Sequence, residues 1–225
     1  MNYLHLLSES DNDDLFYLNC LNKLTGKSFE LLSAKRLRKS GGISELRKKL
    51  GIFFRDIKHT GTADNIFFLV VYDNDRSPVH PDHGIRSDHS QLPKKDQQKN
   101  CRYCEIQSTA QNIFGTNKQQ WPIKGAIAIP VEMLESWQLL ICKGEGFESE
   151  KDLPIFSRKT KSGAQYYHSS KKPPDQLKDL VKQERIRLEM SPQQFCVYCA
   201  QQLNVNDLKA RSRSFTQLSE QVADW

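Results

Sequence analysis

The sequence lacks the apolar segment that a membrane-spanning protein requires. No hydrophobic run among its 225 residues approaches the roughly 20 residues of a transmembrane helix. Residues 1–14 have no basic region and soon become acidic, which argues against a secretory signal peptide. With 27% charged and 37% hydrophobic residues, the composition is typical of a globular domain. We therefore expect a cytoplasmic protein without a membrane partner.

Two further absences narrow the function. The sequence contains no Walker motif (GxxxxGK[ST]), so any use of ATP would have to come from a partner protein. It also shows no internal repeat. The length suits one α/β domain or two small ones, and we predict a single domain over residues 1–225.

The net charge of +6 is concentrated in two stretches, residues 34–49 and residues 158–172. The second stretch carries Tyr166 and Tyr167 between its basic residues, and basic residues interleaved with aromatic ones suit a nucleic-acid backbone. The alternative is a solvated helix face and a loop. The candidate nucleic-acid contacts are Lys159, Lys161 and Lys171.

Hydrophobic periodicity predicts that strands and helices alternate along the chain. Strands are expected at 2–8, 29–34, 66–72 and 125–130, and helices at 11–26, 43–61, 131–142, 175–190 and 206–225. This order is typical of an open parallel sheet flanked by helices. Loops are expected between the third and fourth strands and before Pro174. We treat residues 77–120 as an insertion and residues 151–225 as a C-terminal extension.

Acidic residues follow three of the predicted strands. Glu9 follows the first strand, Asp73 and Asp75 follow the third, and Glu132 and Glu135 follow the fourth. The carboxyl ends of parallel strands share one edge, where ligands bind. Carboxylates brought together there need a cation or a proton, and Mg2+ or Mn2+ suits hard oxygen ligands. The alternative for the Asp-x-Asp pair is a turn in which aspartate accepts local backbone hydrogen bonds.

Other polar residues near these strand ends have simpler explanations. The acidic residues between 11 and 14 are expected to stabilise a helix N-terminus. His80, His83 and His89 follow the third strand and could bind a metal or donate a proton, or they could belong to a plain loop.

The segments "LLSESDNDDLF" and "VVYDNDR" resemble the TOPRIM domain of type IA topoisomerases, bacterial primases and OLD-type nucleases. That family places a glutamate after the first strand and Asp-x-Asp after the third, and these bind Mg2+ for phosphoryl transfer. The resemblance implies this role for Glu9, Asp73 and Asp75, with Glu9 alternatively acting as an acid or base. The family often has glycine beside the glutamate, whereas this sequence has Ser8 and Ser10.

A closer resemblance joins "IAIPVEMLESWQLL" and "RSRSFTQL" to an uncharacterised TOPRIM-like bacterial family. Its members often have Glu-x-Trp at the first place and Arg-x-x-Ser-Phe at the second. The resemblance implies that Glu135, or alternatively Glu132, joins the acidic site and that Trp137 packs in the core. The family is frequently encoded beside ABC-type ATPases in defence operons, which implies such an ATPase as a partner.

Two Cys-x2-Cys pairs, "CRYC" and "CVYC", predict a structural zinc site in a reduced compartment. The four expected ligands are Cys101, Cys104, Cys196 and Cys199. Such a site would pin the insertion to the C-terminal extension, so we predict an inserted zinc knuckle. The alternatives are a thiol redox pair and four incidental cysteines. Cys20 and Cys142 lie in helical patterns and are expected to be buried thiols.

These observations predict a Mg2+-dependent nuclease that acts on DNA in preference to RNA, in bacterial anti-phage defence. A topoisomerase would need gate domains for which the chain is too short, and the parts of a primase that bind nucleotides are not recognisable. Two alternatives stay open. One is a non-catalytic nucleic-acid-binding or regulatory subunit of an ATPase complex, and the other is an RNA-processing TOPRIM enzyme.

Overall fold

The computed structural model describes residues 1–36, 42–60, 62–73, 102–130, 134–142, 158–161, 164–167 and 173–225. Its strands are β1 (Asn2–Ser8), β2 (Phe29–Arg36), β3 (Ile66–Val71), β4 (Lys124–Ala128), β5 (Arg158–Lys161) and β6 (Ala164–Tyr167). Its helices are α1 (Asp11–Thr25), α2 (Gly42–Thr60), α3 (Arg102–Phe114), α4 (Leu134–Cys142), α5 (Pro173–Arg187), α6 (Pro192–Gln202), α7 (Val205–Arg211) and α8 (Arg213–Gln221). A 3-10 turn covers Lys118–Gln120.

The first four strands form one parallel sheet in the order β2-β1-β3-β4, which confirms the predicted parallel α/β architecture. In its register, Leu6 of β1 lies opposite Leu69 of β3, and Leu69 lies opposite Ala126 of β4. The chain leaves β1 toward β2 on one side and then crosses to β3 on the other. The topological switch point, where such sheets bind ligands, is therefore between β1 and β3. Strands β5 and β6 form a separate antiparallel pair.

Both faces of the sheet are buried, which explains the uninterrupted apolar run of β3. Phe67, Leu69 and Val71 belong to a core cluster shared with α1 and with helices α4 to α8. Phe68 and Val70 point to the opposite face, where they pack with residues of α2 and α3. Trp137 of α4 is fully buried in the first cluster, so its predicted core position is confirmed.

Helix α1 has the end signals that its sequence predicts. Ser10 and Asp13 form a reciprocal capping box, in which each side chain accepts from the other residue's backbone N–H. The acidic first turn suits the positive end of the helix dipole, as expected for residues 11–14. Gly26 ends the helix with φ of 67°, a conformation that glycine adopts without strain.

The outer strand β4 has its backbone groups bound by a side chain of α8. The Gln221 amide accepts from the N–H of Ile127 at 3.0 Å and donates to its C=O at 2.9 Å. Trp225 stacks on Phe67, with ring centroids 4.9 Å apart. The last helix and its following turn thus close this side of the sheet.

Several elements differ from the sequence prediction. The loop predicted over residues 77–120 contains α3, in which the buried Tyr103, Ile106 and Ala110 recur with helical spacing. The predicted final helix divides at Ser212, whose backbone is extended and whose side chain caps α8. The predicted loop before Pro174 contains β5 and β6. No described helix combines the length and apolarity needed to cross a bilayer.

The second cysteine pair also lies in a helix rather than in a metal-binding turn. Cys196 and Cys199 are one turn apart in α6, which starts after Ser191 with a capping box to Gln194. Cys104 likewise belongs to the first turn of α3. Glutamines interrupt the apolar pattern of both helices, at 107 and 111 in α3 and at 193, 194, 201 and 202 in α6, and they obscured the helical periodicity in the sequence.

The close packing of β4 on β3 gives a test of the fold by two glycine substitutions. A Cβ on Gly125 would overlap the ring of Phe68, whereas the nearest atom to a Cβ on Gly51 in α2 is the flexible Arg55 Nη2 at 3.9 Å. We expect Gly125→Ala to lower the free energy of unfolding by about 1–3 kcal/mol. Gly51→Ala should raise the free energy of unfolding by roughly 0.5–1 kcal/mol, because alanine leaves the unfolded chain less backbone freedom to lose when the helix forms. Urea denaturation of both variants measures this, and equal effects would contradict the described packing.

Candidate active site

Three carboxylate residues lie near the switch point of the sheet. Glu9 follows β1, Asp73 lies two residues after β3, and Glu135 belongs to the first turn of α4. The backbone N–H of Asp73 donates to Glu9 Oε1 at 3.4 Å. Asp73 Oδ1 accepts from the backbone N–H of Leu134 at 3.0 Å. Asp73 therefore connects the tip of β1 with the start of α4.

The electrostatic environment disfavours the charge of Asp73. Burial raises the pKa of Asp73 well above its ordinary value, and the negative charges of Glu9, Glu135 and Asp13 raise it further. The hydrogen bond from Leu134 opposes this shift. A group in this environment gains from a bound proton or a bound cation, because either one offsets the repulsion.

A buried hydroxyl belongs to the same environment. Tyr17 of α1 is fully buried and contacts the Trp137 ring edge-on, with centroids 5.8 Å apart. Burial raises the pKa of Tyr17, and the charge of Asp73 is the largest of the charge effects that add to it. Within the described part of the chain, its hydroxyl oxygen is buried without a hydrogen-bond partner. An unsatisfied hydroxyl close to carboxylates fits a site that takes up water or hydrated metal.

The donor chemistry fits a hard divalent cation, but the described residues do not form a complete metal site. Carboxylate oxygens are ligands that Mg2+ prefers. Over the described ranges, however, no three His, Cys, Asp or Glu side chains are grouped closely enough to hold a metal ion. Asp75 and Glu132 lie outside those ranges. The described carboxylates thus form an acidic centre that can contribute part of a ligand set.

A cleft of about 390 Å³ opens beside this centre. Its acidic lining comes from Glu9, Asp13 and Glu135. Helix α5 contributes basic side chains to the same cleft, and these are Lys178, Lys182 and Arg185. The cleft therefore combines carboxylates suited to a cation with cations suited to an anion.

The basic residues of α5 were missed in the sequence analysis. The apolar residues of this segment predicted the helix correctly, but no role was predicted for its charged face. The signal was the spacing of Lys178, Lys182 and Arg185, which puts them on one side of a helix. Of the nucleic-acid contacts that were predicted instead, Lys159 and Lys161 lie in β5, whose side chains are outside the description, and Lys171 lies outside the described residues. The same holds for His80, His83 and His89.

The described thiols of the two Cys-x2-Cys pairs are not brought together. Cys104 packs against the core cluster of α2 and α3, whereas Cys196 and Cys199 belong to the cluster on the opposite face of the sheet. Cys101 lies outside the described residues. The neighbour of Cys199 is instead Cys142 of α4, with the two sulfur atoms 3.1 Å apart. The zinc site formed by the four cysteines stays a prediction.

The buried thiols differ in their expected ionisation. Burial raises the pKa of Cys20 to about 12 and that of Cys196 to about 11. Cys142 is half-buried, and its hydrogen bond with Cys199 lowers its pKa while raising that of Cys199. Cys142 is therefore the thiol of this pair that ionises first.

None of the protein-family models, curated proteins and solved structures with which the chain was compared matches it. The resemblance to the TOPRIM domain therefore rests on the sequence motifs.

The raised pKa of Asp73 predicts a dependence of stability on pH in metal-free protein. A carboxyl whose pKa is raised by folding stabilises the folded state while protonated, and this contribution is lost as the pH rises from the ordinary value of 3.8 through the folded value. Asp73→Asn keeps an acceptor for Leu134 and stays neutral. We expect it to melt above the wild type at pH 7 in EDTA, by roughly 2–4 °C for each kcal/mol relieved.

The matched control is Asp64→Asn, at an exposed turn before the same strand, and it should leave the melting temperature unchanged. The advantage of Asp73→Asn should shrink toward pH 4. A wild type that is the more stable protein at pH 7 in EDTA would contradict the described environment of Asp73.

Proposed function

We propose that the chain is a Mg2+-dependent nuclease with a TOPRIM-like fold. The observation that carries the proposal is the placement of Glu9, Asp73 and Glu135 near the switch point between β1 and β3. Acidic residues at this edge of a parallel sheet are suited to a cation that also holds phosphate oxygens. The resemblance to the TOPRIM domain implies phosphodiester chemistry for Glu9 and Asp73, and the closer resemblance adds Glu135.

The carboxylates have distinct proposed roles. Glu9 and Asp73 would hold Mg2+ or Mn2+ together with Asp75, and Glu135 would complete the acidic site. A cation held there would supply activation of water and stabilisation of charge on the leaving oxygen. The hydrogen bond from Leu134 fixes the orientation of the Asp73 carboxylate. Glu9 has the alternative role of moving a proton, as a general acid or base.

The biological setting is proposed from the sequence alone. The closer resemblance supports an ABC-type ATPase as a partner and a role in anti-phage defence. DNA in preference to RNA as the substrate and a cytoplasmic location are proposed independently of that resemblance. A structural zinc ion bound by the two cysteine pairs belongs to the same set of proposals.

A non-catalytic subunit is the second candidate, and one contact favours it. Asp73 accepts the backbone N–H of Leu134 at the start of α4, a structural role that needs no metal. In that case the acidic centre would serve the fold, and the cleft would bind nucleic acid without cutting it.

Cleavage of labelled single- and double-stranded DNA and RNA tests the proposal. We expect cutting with Mg2+ or Mn2+ and none in EDTA. Asp73→Asn should lower the rate roughly 100-fold or more, because a lost metal ligand removes several kcal/mol of transition-state stabilisation. Asp64→Asn, at the other end of β3, should cut like the wild type.

Adding Mg2+ back after EDTA distinguishes this site from a zinc requirement, since Mg2+ alone should restore cutting. Folded protein that cuts none of the four substrates would favour the non-catalytic subunit. Cutting of RNA alone would point to the RNA-processing alternative.

A further inference from the structure

We infer that the face of α5 formed by Lys178, Lys182 and Arg185 holds the phosphate backbone of a single nucleic-acid strand beside the carboxylates. The inference takes its substrate class from the proposed function and deepens it. It concerns binding, which is measured without metal and without cleavage. The inference and the proposed nuclease activity can therefore fail separately.

The three basic residues form a row rather than a point of charge. They occupy positions i, i+4 and i+7 of α5, on the side that lines the cleft. From Lys178 the other two lie about 6 Å and about 10.5 Å along the helix axis, at 1.5 Å per residue. A row of cations suits a chain of phosphates better than it suits one isolated phosphate.

The charges of this row are available to a ligand. Lys178 and Lys182 are exposed, and across the described residues neither ammonium group has an ion-pair partner. Arg187 on the same helix differs, because it pairs with Glu184 at 2.9 Å. Arg185 donates one guanidinium N–H to the C=O of Met190 at 3.1 Å, which fixes the side chain. Its other N–H groups can donate to a ligand.

Because one side of the cleft is acidic, a polyanion can bind there only if basic side chains offset the repulsion. Carboxylates that are not fully neutralised by bound cations repel phosphate. Basic side chains within the same cleft offset that repulsion. A strand that lies along α5 would place a phosphodiester between the row and the acidic centre. The row thus supplies the positioning that metal-assisted hydrolysis requires.

The size of the cleft matches a nucleotide-sized part of a single strand. Its volume of about 390 Å³ is near the lower end of the range for small-ligand sites, about 300–1,000 Å³. That space accommodates a nucleotide-sized part of a chain. Val181 also lines it and is partly exposed, so it offers apolar surface to a sugar or base.

Binding of a fluorescent single-stranded oligonucleotide of about 12 nucleotides, followed by anisotropy in EDTA, tests the inference. The test variant is Lys178→Gln/Lys182→Gln. The matched control is Lys27→Gln/Lys48→Gln, which removes the same charge from exposed lysines outside the cleft. We expect the test variant to bind about 25-fold more weakly at 0.1 M salt. The slope of log binding constant against log salt concentration should fall in magnitude by about 1.4, because each of the two lost phosphate contacts contributes about 0.7 to it.

The control should bind like the wild type, and both variants should keep the melting temperature because all four lysines are exposed. Equal weakening by the two variants would overturn the inference, since net charge alone would then explain binding. Duplex bound as tightly as single strand, with the same dependence on Lys178 and Lys182, would overturn the preference for one strand.

Cleavage by the wild type separates this inference from the proposed function. A wild type that cuts, with strand binding that does not depend on Lys178 and Lys182, overturns the inference and leaves the nuclease intact. A wild type that binds through these lysines and cuts nothing supports the inference and counts against the nuclease.

Discussion

The pairing of β1 with β3 is the constraint on which the candidate site depends. These strands are distant in sequence, and their parallel register places Leu7 opposite Val70, so the residues that follow both strands emerge side by side. The backbone of Asp73 then donates to the Glu9 carboxylate. Helix α4 begins at the same place, where Asp73 accepts from the backbone N–H of Leu134. The cleft, and the face of α5 that lines it, are arranged around this junction.

The acidic residues at the ends of β1 and β3 destabilise the folded state, and this destabilisation indicates a functional constraint. Among the described residues, the Asp73 carboxylate accepts one backbone hydrogen bond and lies near carboxylates that disfavour its charge. The hydroxyl of Tyr17 is buried nearby without a described partner. A sequence selected for stability alone would place neutral or apolar groups here. Such local conflicts between stability and residue choice are characteristic of functional sites.

The sequence predicted the sheet and the acidic centre because both depend on local rules. A buried strand such as β3 is recognisable from its own residues, and the shared edge of parallel strands then places Glu9 near Asp73. Helices α3 and α6 were missed because the Cys-x2-Cys spacing suggested metal-binding turns and because glutamines interrupt the apolar pattern of both helices. The place of Lys178 in the cleft depends on how α5 packs against α4, and no local pattern specifies that orientation.

The hydrogen bonds of Gln221 to Ile127 make the two borders of the sheet unequal. One side-chain amide occupies the donor and acceptor that a further strand would use, so strand addition next to β4 would first have to displace Gln221. At the other border, β2 leaves Leu31 and Leu32 partly exposed. Among the described residues, the last helix thus takes the place of a further strand at the β4 border of the sheet.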